Sequence, residues 1–245
     1  FDVLSYPNLF HNLKAAIKDA CSGKDNQNLN IYYEDTQISP KEMLEIIKNK
    51  EFSRFPENMS GAAREAYETL LHTGDGQLCD VIIDRAALDA IYAAGEAAKD
   101  SIIKEYAESV VAIADIKIAV RSQKTAKTIE FMKRAMAPCK SINVEQLSKA
   151  AAAGMEAVTE YLSGTAYAEG GQAIAESSSA FERWCDNRMM QAIQPQKYES
   201  FSVGPLVAYV LARENEIKTV RIILSGKQNG FSEESIRERV REMYV

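Results

Sequence analysis

The sequence predicts an all-α protein assembled from three related helical units. Apolar residues recur at helical spacing nearly everywhere, between Ala-rich and Glu/Lys-rich surfaces with few β-branched alternations. Ser, Asn and Pro stand where helix starts need them, and Gly stands where helices stop. One local signature also returns three times at almost equal intervals. A repeat of that kind decides architecture before any local pattern does.

The signature is clearest in Gly204–Gly230. Pro205 suits a first helical turn, and Gly226 and Gly230 suit the end. Leu206, Val210, Ile217, Val220 and Leu224 keep a spacing near one helical turn and define the predicted buried face. At roughly 1.5 Å per residue the helix is about 30 Å long. Arg213, Glu214, Glu216 and Lys218 interrupt the apolar run too often for a membrane span. Arg221 stands on the apolar face, between Ile217 and Leu224. Lys117 stands in the same relation to Ile113 and Val120, and Lys14 to Phe10 and Ile17. Leu13, Ile116 and Val220 directly precede the three cations, which are 117 − 14 = 103 and 221 − 117 = 104 residues apart.

The three units are expected at residues 1–75, 76–172 and 173–245. In the first, a polar stretch Ser22–Asn30 follows the Phe10/Lys14/Ile17 helix. Ser39-Pro40-Lys41-Glu42 then reads as a capping box opening a helix with Met43, Leu44 and Ile47. A helix over Gly61–Leu71 ends in the turn signal His72–Gly76. The second unit carries Asp84-Arg85 and then a long helix with Tyr106, Val110, Ile113, Lys117 and Val120 on one face, punctuated by Pro138. Asn143 caps the helix through Leu147; Glu156-Ala157 and Leu162 follow, with breaks expected at Gly164 and Gly170-Gly171. In the third, Glu182-Arg183 echoes Asp84-Arg85, the loop Gln194–Gly204 leads into the long helix, and Ser232 caps a last helix, Glu233–Met243. Projecting Asp84 back by one period gives 84 − 103 = −19, so the first unit is expected to lack its opening helices.

Composition narrows the function. Net charge is −6 without a strongly basic stretch, which argues against nucleic acid. No run approaches ~20 apolar residues, so no direct membrane span is expected, and FDVLSYPNLF lacks the basic start of a signal peptide. Cys21, Cys79, Cys139 and Cys185 are widely spaced without C-x-x-C, which reads as reduced, cytoplasmic thiols. Gly226-Lys227 lacks the upstream glycine and following Ser/Thr of a phosphate loop, and reads as a helix C-cap. Gly170-Gly171 lacks the strand and third glycine of a dinucleotide turn. His11 and His72 have no ligand partners at zinc spacing, and no G-x-S-x-G elbow is present. No catalytic residue, cofactor or metal is therefore expected. Glu238, Arg239, Arg241 and Glu242 read as a solvated charged face.

Lys14, Lys117 and Arg221 are the candidate functional positions, with two readings. Each reaches along its aliphatic stem to a carboxylate, with Asp84, Asp89 and Glu182 as possible partners. Alternatively, the three ring a pseudo-threefold axis and touch a partner.

The chain resembles the C subunit of the V-type/A-type rotary ATPases, the counterpart of the d subunit of the eukaryotic V-ATPase. The likeness rests on Pro205–Tyr209, Glu214–Leu224, Gly226-Lys227, the terminal Ile236–Val245, and His11–Lys14 near the other end. Cys139-Lys140 after Pro138 departs from the glycine-containing turn expected there, and the amino-terminal portion expected of the family is absent. The resemblance implies a three-lobed, pseudo-threefold helical funnel that sits on the membrane rotor ring and receives the foot of the central shaft. It would have no active site and would work as a peripheral, cytoplasmic-side adaptor for proton or sodium transport or ATP synthesis. A generic helical-repeat scaffold binding a protein in a concave face, and an enzyme using His11 or His72, are the competing functions.

Overall fold

Helix starts are fixed by side chains that satisfy the free amides of the first turn. Ser39, Asp75, Thr128, Asn143, Ser177 and Ser232 each accept from a backbone N–H three residues on, opening six of the helices. The computed structural model describes residues 2–22, 31–199 and 201–244. Among them it contains twelve α-helices and no strand. In order these are α1 (Asp2–Ser22), α2 (Pro40–Lys48), α3 (Glu57–Thr73), α4 (Gly76–Ala97), α5 (Ser101–Lys124), α6 (Ile129–Ala135), α7 (Val144–Ala153), α8 (Met155–Ser163), α9 (Ala168–Glu176), α10 (Ser178–Ile193), α11 (Gly204–Gln228) and α12 (Glu233–Arg237), with 3-10 turns at Phe52–Arg54 and Gln194–Tyr198. The protein is all-α. Most of the polar stretch Ser22–Asn30 lies outside the described residues.

Among the described residues two large cores and three smaller ones hold the helices. Leu9, Phe10, Leu13 and Ile17 of α1 pack with Met43, Ile46 and Ile47 of α2, Met59 of α3 and Ile83 of α4. Ile113, Ile116 and Val120 of α5 pack with Met132 and Met136, Leu147 of α7, Val158 and Leu162 of α8, and Phe181 of α10. Ile102, Met190, Ile193, Val207, Ala208 and Leu211 form the third, joining α5, α10 and α11. Helix α4 packs on both α1 and α5, and α10 packs on both α5 and α11, so the long helices follow one another as neighbours.

Several local expectations are corrected. The long helix of the second unit stops at Lys124, well before Pro138, where Ala126 adopts a positive φ of 52°, and α6 intervenes. The helix expected over Gly61–Leu71 begins at Glu57, directly after Pro56. Ser39 accepts from the Glu42 amide at 3.3 Å, but the Glu42 carboxylate turns to Arg54, 3.6 Å away, so the capping box is one-sided. Gly170 and Gly171 do not break a helix. They lie inside α9, where a Cβ on Gly170 would sit 2.6 Å from the Trp184 ring and one on Gly171 3.0 Å from Thr159. Gly226 is likewise interior to α11, against Ile236, and the helix ends instead before Asn229.

The last helix ends at Arg237, not Met243. The following residues run back over α10 and α11 in irregular conformation. Arg183 donates to the Glu238 carbonyl at 2.7 Å, and Asn215 to the Glu242 carbonyl at 2.7 Å. The Glu242 amide donates to Asn187 at 2.9 Å. Arg241 is therefore no part of a solvated face: it is 8% exposed, its Nε 2.6 Å from Asp186.

The face of α11 is also reversed. Val207, Ala208, Leu211, Ala212, Asn215 and Thr219 point inward, while Leu206, Ile217, Val220 and Leu224 are exposed.

Candidate functional site

The three predicted cations fall on the three long helices α1, α5 and α11. Lys14 Nζ lies 2.6 Å from Asp84 on α4, and Lys117 Nζ lies 3.1 Å from Glu182 on α10. Asp89, the third candidate acid, bonds Arg85 one turn away at 2.9 Å. Arg221 is exposed, and among the described residues it has no ion pair. The acids are followed by arginines that reach the other way. Arg85 donates to the carbonyls of Lys133, at 3.3 Å, and Met136, beyond α5. Arg183 donates to the Glu238 carbonyl, beyond α11.

A second regularity was missed in the sequence. Two residues before each cation stands a buried polar side chain: Asn12, Asp115 and Thr219. Asn12 Oδ1 accepts the Tyr33 amide at 2.9 Å, 33 − 12 = 21 residues on. Asp115 Oδ1 accepts the Ala137 amide at 3.0 Å, 137 − 115 = 22 residues on. Asn12 and Asp115 each pin a stretch of chain that comes after their helix, as an unpaired buried backbone N–H would be costly. The signal was available: a polar residue at i−2 from the cation, on the opposite side of the helix, in all three places. Asn, Asp and Thr differ enough in type to hide it.

Two grooves open beside these pairs. One, of about 430 Å³, lies between α1, α4 and α5, with Phe10, Lys14, Asp84, Leu88 and Lys117 on its wall. The other, of about 300 Å³, lies between α5, α10 and α11, with Tyr106, Ile113, Lys117, Asp186, Glu214 and Lys218 on its wall. Lys117 lines both. In the second groove Asp186 accepts from Lys218 and from Arg241, each at 2.6 Å.

Electrostatics match packing more than acid–base work. Burial raises the Glu182 carboxyl, but Lys117 and Arg121 more than offset it and hold the group below its ordinary value. Burial pushes the Cys185 thiol up to about 12, so it stays protonated and unreactive near neutrality. Burial likewise raises Tyr106. Asp115, fully buried in α5, is pushed up to about 8 by desolvation, the Ala137 amide and Arg85 opposing. That direction favours the neutral carboxyl, the form in which an acid is least costly in a core position. His11 meets the Ile31 carbonyl at 2.9 Å, and His72 sits in the last turn of α3. Among the described residues no three His, Cys, Asp or Glu side chains converge as metal ligands. No helix there is long and apolar enough to cross a membrane.

The described residues thus form an all-α assembly in which ion pairs, Lys14 with Asp84 and Lys117 with Glu182, tie successive long helices together. The comparisons with known proteins make that particular. The family model for the "ATP synthase (C/AC39) subunit" matches residues 1–239, and the chain belongs to this family, the C subunits of the V/A-type ATP synthases. It is 26% identical over 239 residues to the C subunit of the V-type sodium ATPase of Enterococcus hirae, spanning 96% of this chain and 72% of that one. It is also 23% identical over 151 residues to the C subunit of the A-type ATP synthase of Methanocaldococcus jannaschii, spanning 58% of this chain and 38% of the relative. A third likeness, 34% over 65 residues, is to the C subunit of the A-type ATP synthase of Haloquadratum walsbyi, over 26% and 19% of the two chains. No solved structure matches.

Proposed function

We propose that the chain is a non-catalytic central-stalk adaptor, coupling the rotating shaft of a V/A-type rotary ATPase to its membrane rotor ring. In this reading three related helical units, at residues 1–75, 76–172 and 173–245, close about a pseudo-threefold axis into a funnel on the cytoplasmic face of the membrane. The observation that carries it is the family match across residues 1–239. The structure adds support in kind. The cation of one long helix meets the acid of the next unit's opening helix twice, Lys14 with Asp84 and Lys117 with Glu182. A stack of close-packed helices tied in this way deforms little, as passing torque requires.

The function is mechanical. ATP-driven rotation of the shaft reaches the ring, which carries protons or sodium ions, or ion flow turns the shaft for ATP synthesis. The test is assembly: the full-length protein, tagged, is expected to co-purify with both shaft subunits and rotor ring. Recovery of neither, from cells in which the rest of the complex is intact, overturns the reading.

A further inference from the structure

Two thiols meet across the first pair of long helices. Two ion pairs fix how α1 lies on α4: Lys14 Nζ is 2.6 Å from Asp84, and Lys18 Nζ is 2.6 Å from Asp80. A step of four forward along α1 is therefore a step of four back along α4, and the helices run antiparallel. Cys21 stands three residues after Lys18 and four after the buried Ile17, so it continues the inner side of that ladder into the last turn of α1. Cys79 directly precedes Asp80 and stands four residues before the buried Ile83, on the inner side of the first turn of α4. Cys79 is fully buried in the first core, and Cys21 packs half-buried against the same core. Each thiol lies within the electrostatic reach of the other. Cys139 and Cys185 belong to the second core.

We propose that Cys21 and Cys79 are a modification site, closing reversibly into a disulfide that clasps the last turn of α1 to the first turn of α4. Closure needs Cα atoms roughly 4.4–6.8 Å apart. The last turn of α1, whose carbonyls have no helical partner, supplies the freedom to reach that geometry. The co-reactant is a small soluble disulfide such as oxidised glutathione. Cys21, the more accessible thiol, gives up its proton and attacks one glutathione sulfur, expelling a glutathione thiolate. The Cys79 thiolate then attacks the Cys21 sulfur and expels the second. Two protein thiols lose two electrons and two protons, and one small disulfide becomes two thiols. The bond closes a loop from residue 21 to residue 79 that contains α2 and α3. Burial raises both thiols, Cys79 to about 11, where Asp80 adds to the effect and Lys18 opposes it. Closure is therefore slow near neutrality and quickens as pH rises, and the four free cysteines of the structure are the resting state.

The full chain is equilibrated with mixtures of reduced and oxidised glutathione, quenched with acid, alkylated and peptide-mapped by mass spectrometry. A peptide linking Cys21 to Cys79 is expected, with Cys139 and Cys185 alkylated, and dithiothreitol reverses the link. The initial rate is expected to rise roughly tenfold from pH 7 to pH 8. The closed form is expected to unfold at a urea concentration higher by roughly 1 M. Cys79→Ala is expected to stop the reaction with glutathione on Cys21, and Cys21→Ser, at a half-buried position, to leave Cys79 unmodified. Glutathione retained on Cys21 of the unsubstituted chain, with Cys79 a free thiol, overturns the proposal. So does a link from either residue to another cysteine or another chain, or four unreacted thiols in the most oxidising mixture. A lowered urea midpoint, meaning closure only by distorting the fold, overturns it as well. The proposal stands on the packing of α1 against α4 alone, so its failure and a failure to co-purify with shaft and ring are separate results.

Discussion

Asp186 is the side chain on which the carboxy-terminal segment depends, and removing it tests how that segment is held. Its carboxylate, 15% exposed, accepts from Lys218 Nζ and Arg241 Nε, each at 2.6 Å. Asp186→Ala affects the two arms unequally. Lys218 is about half exposed and returns to water, a loss of about 0–1 kcal/mol. Arg241 is 8% exposed and, among the described residues, retains only the Arg239 carbonyl as a hydrogen-bond partner. Stranding a charge in such a place costs about 3–5 kcal/mol when the structure cannot relax. Here relaxation is available, because the segment after Arg237 is irregular and can lift away. The cost is then capped by the bonds lost on lifting, from Arg183, Asn187 and Asn215. The expected destabilisation is about 2–4 kcal/mol in urea, followed by the fluorescence of Trp184, with hydrogen exchange accelerated across 238–244. Pairing Asp186→Leu with Arg241→Met removes the stranded charge and is expected to recover most of the loss. A change in Asp186→Ala below about 0.5 kcal/mol, with unaltered exchange in the tail, would refute the reasoning.

Other substitutions probe other parts of the fold. Asp115 has a folded pKa raised from 3.8 to about 8, so the folded state holds the proton more tightly; its stabilising contribution is full below pH ~4 and lost as pH rises towards 8. Asp115→Asn keeps the acceptor for the Ala137 amide, as Asn12 does for Tyr33. It is expected to be at least as stable at pH 7 and to lose up to one proton's slope, about 1.4 kcal/mol per pH unit, from denaturation profiles between pH 4 and 8. Gly95→Ala places a Cβ 2.2 Å from that of Ala107, across the α4–α5 contact, and is expected to lower stability by about 1–3 kcal/mol in urea. Gly61→Ala, in α3 with open space around it, is expected to raise stability by about 0.5–1 kcal/mol in the same assay. Lys117→Met leaves Glu182 with Arg121 at 3.0 Å, and is expected to cost under about 1 kcal/mol at pH 7. Because the Glu182 carboxyl is held low in the folded state, its contribution is present above its ordinary 4.5 and lost as pH falls, and this variant is expected to show a shallower acid limb.

What could be read in the sequence was mostly what is local. Ser39, Asn143 and Ser232 cap helices because a side-chain oxygen three residues from a free amide needs no tertiary context. Lys14 and Lys117 were visible as charges on an apolar stripe, since such a charge requires a partner within reach. The orientation of α11 was hidden for a physical reason. That helix has two apolar faces: one of large residues, Ile217, Val220 and Leu224, and one of smaller ones, Ala208, Ala212 and Thr219 among them. Size suggested that the first was inside, but close helix packing favours small side chains, and these face the core. Gly170 and Gly226 misled in the same sense. Each allows a ring or branched side chain to approach the backbone, which reads in sequence like a helix stop. The tail resisted because Arg241 is buried, and the Glu242 backbone held, by contacts 55 positions away in the chain.

The adjacent acid and arginine on α4 and α10 have a geometric corollary. Neighbouring residues on a helix project about 100° apart around its axis, so one dipeptide grips in two directions at once. On α4, Asp84 is fastened to α1 while Arg85 is fastened to the carbonyls past α5; on α10, Glu182 holds α5 while Arg183 holds the chain past α12. Neither rod can roll without straining one grip or the other. Each bond alone is weak at this exposure, yet together they act as keys in a keyway, since a roll of either helix has to break both grips at once.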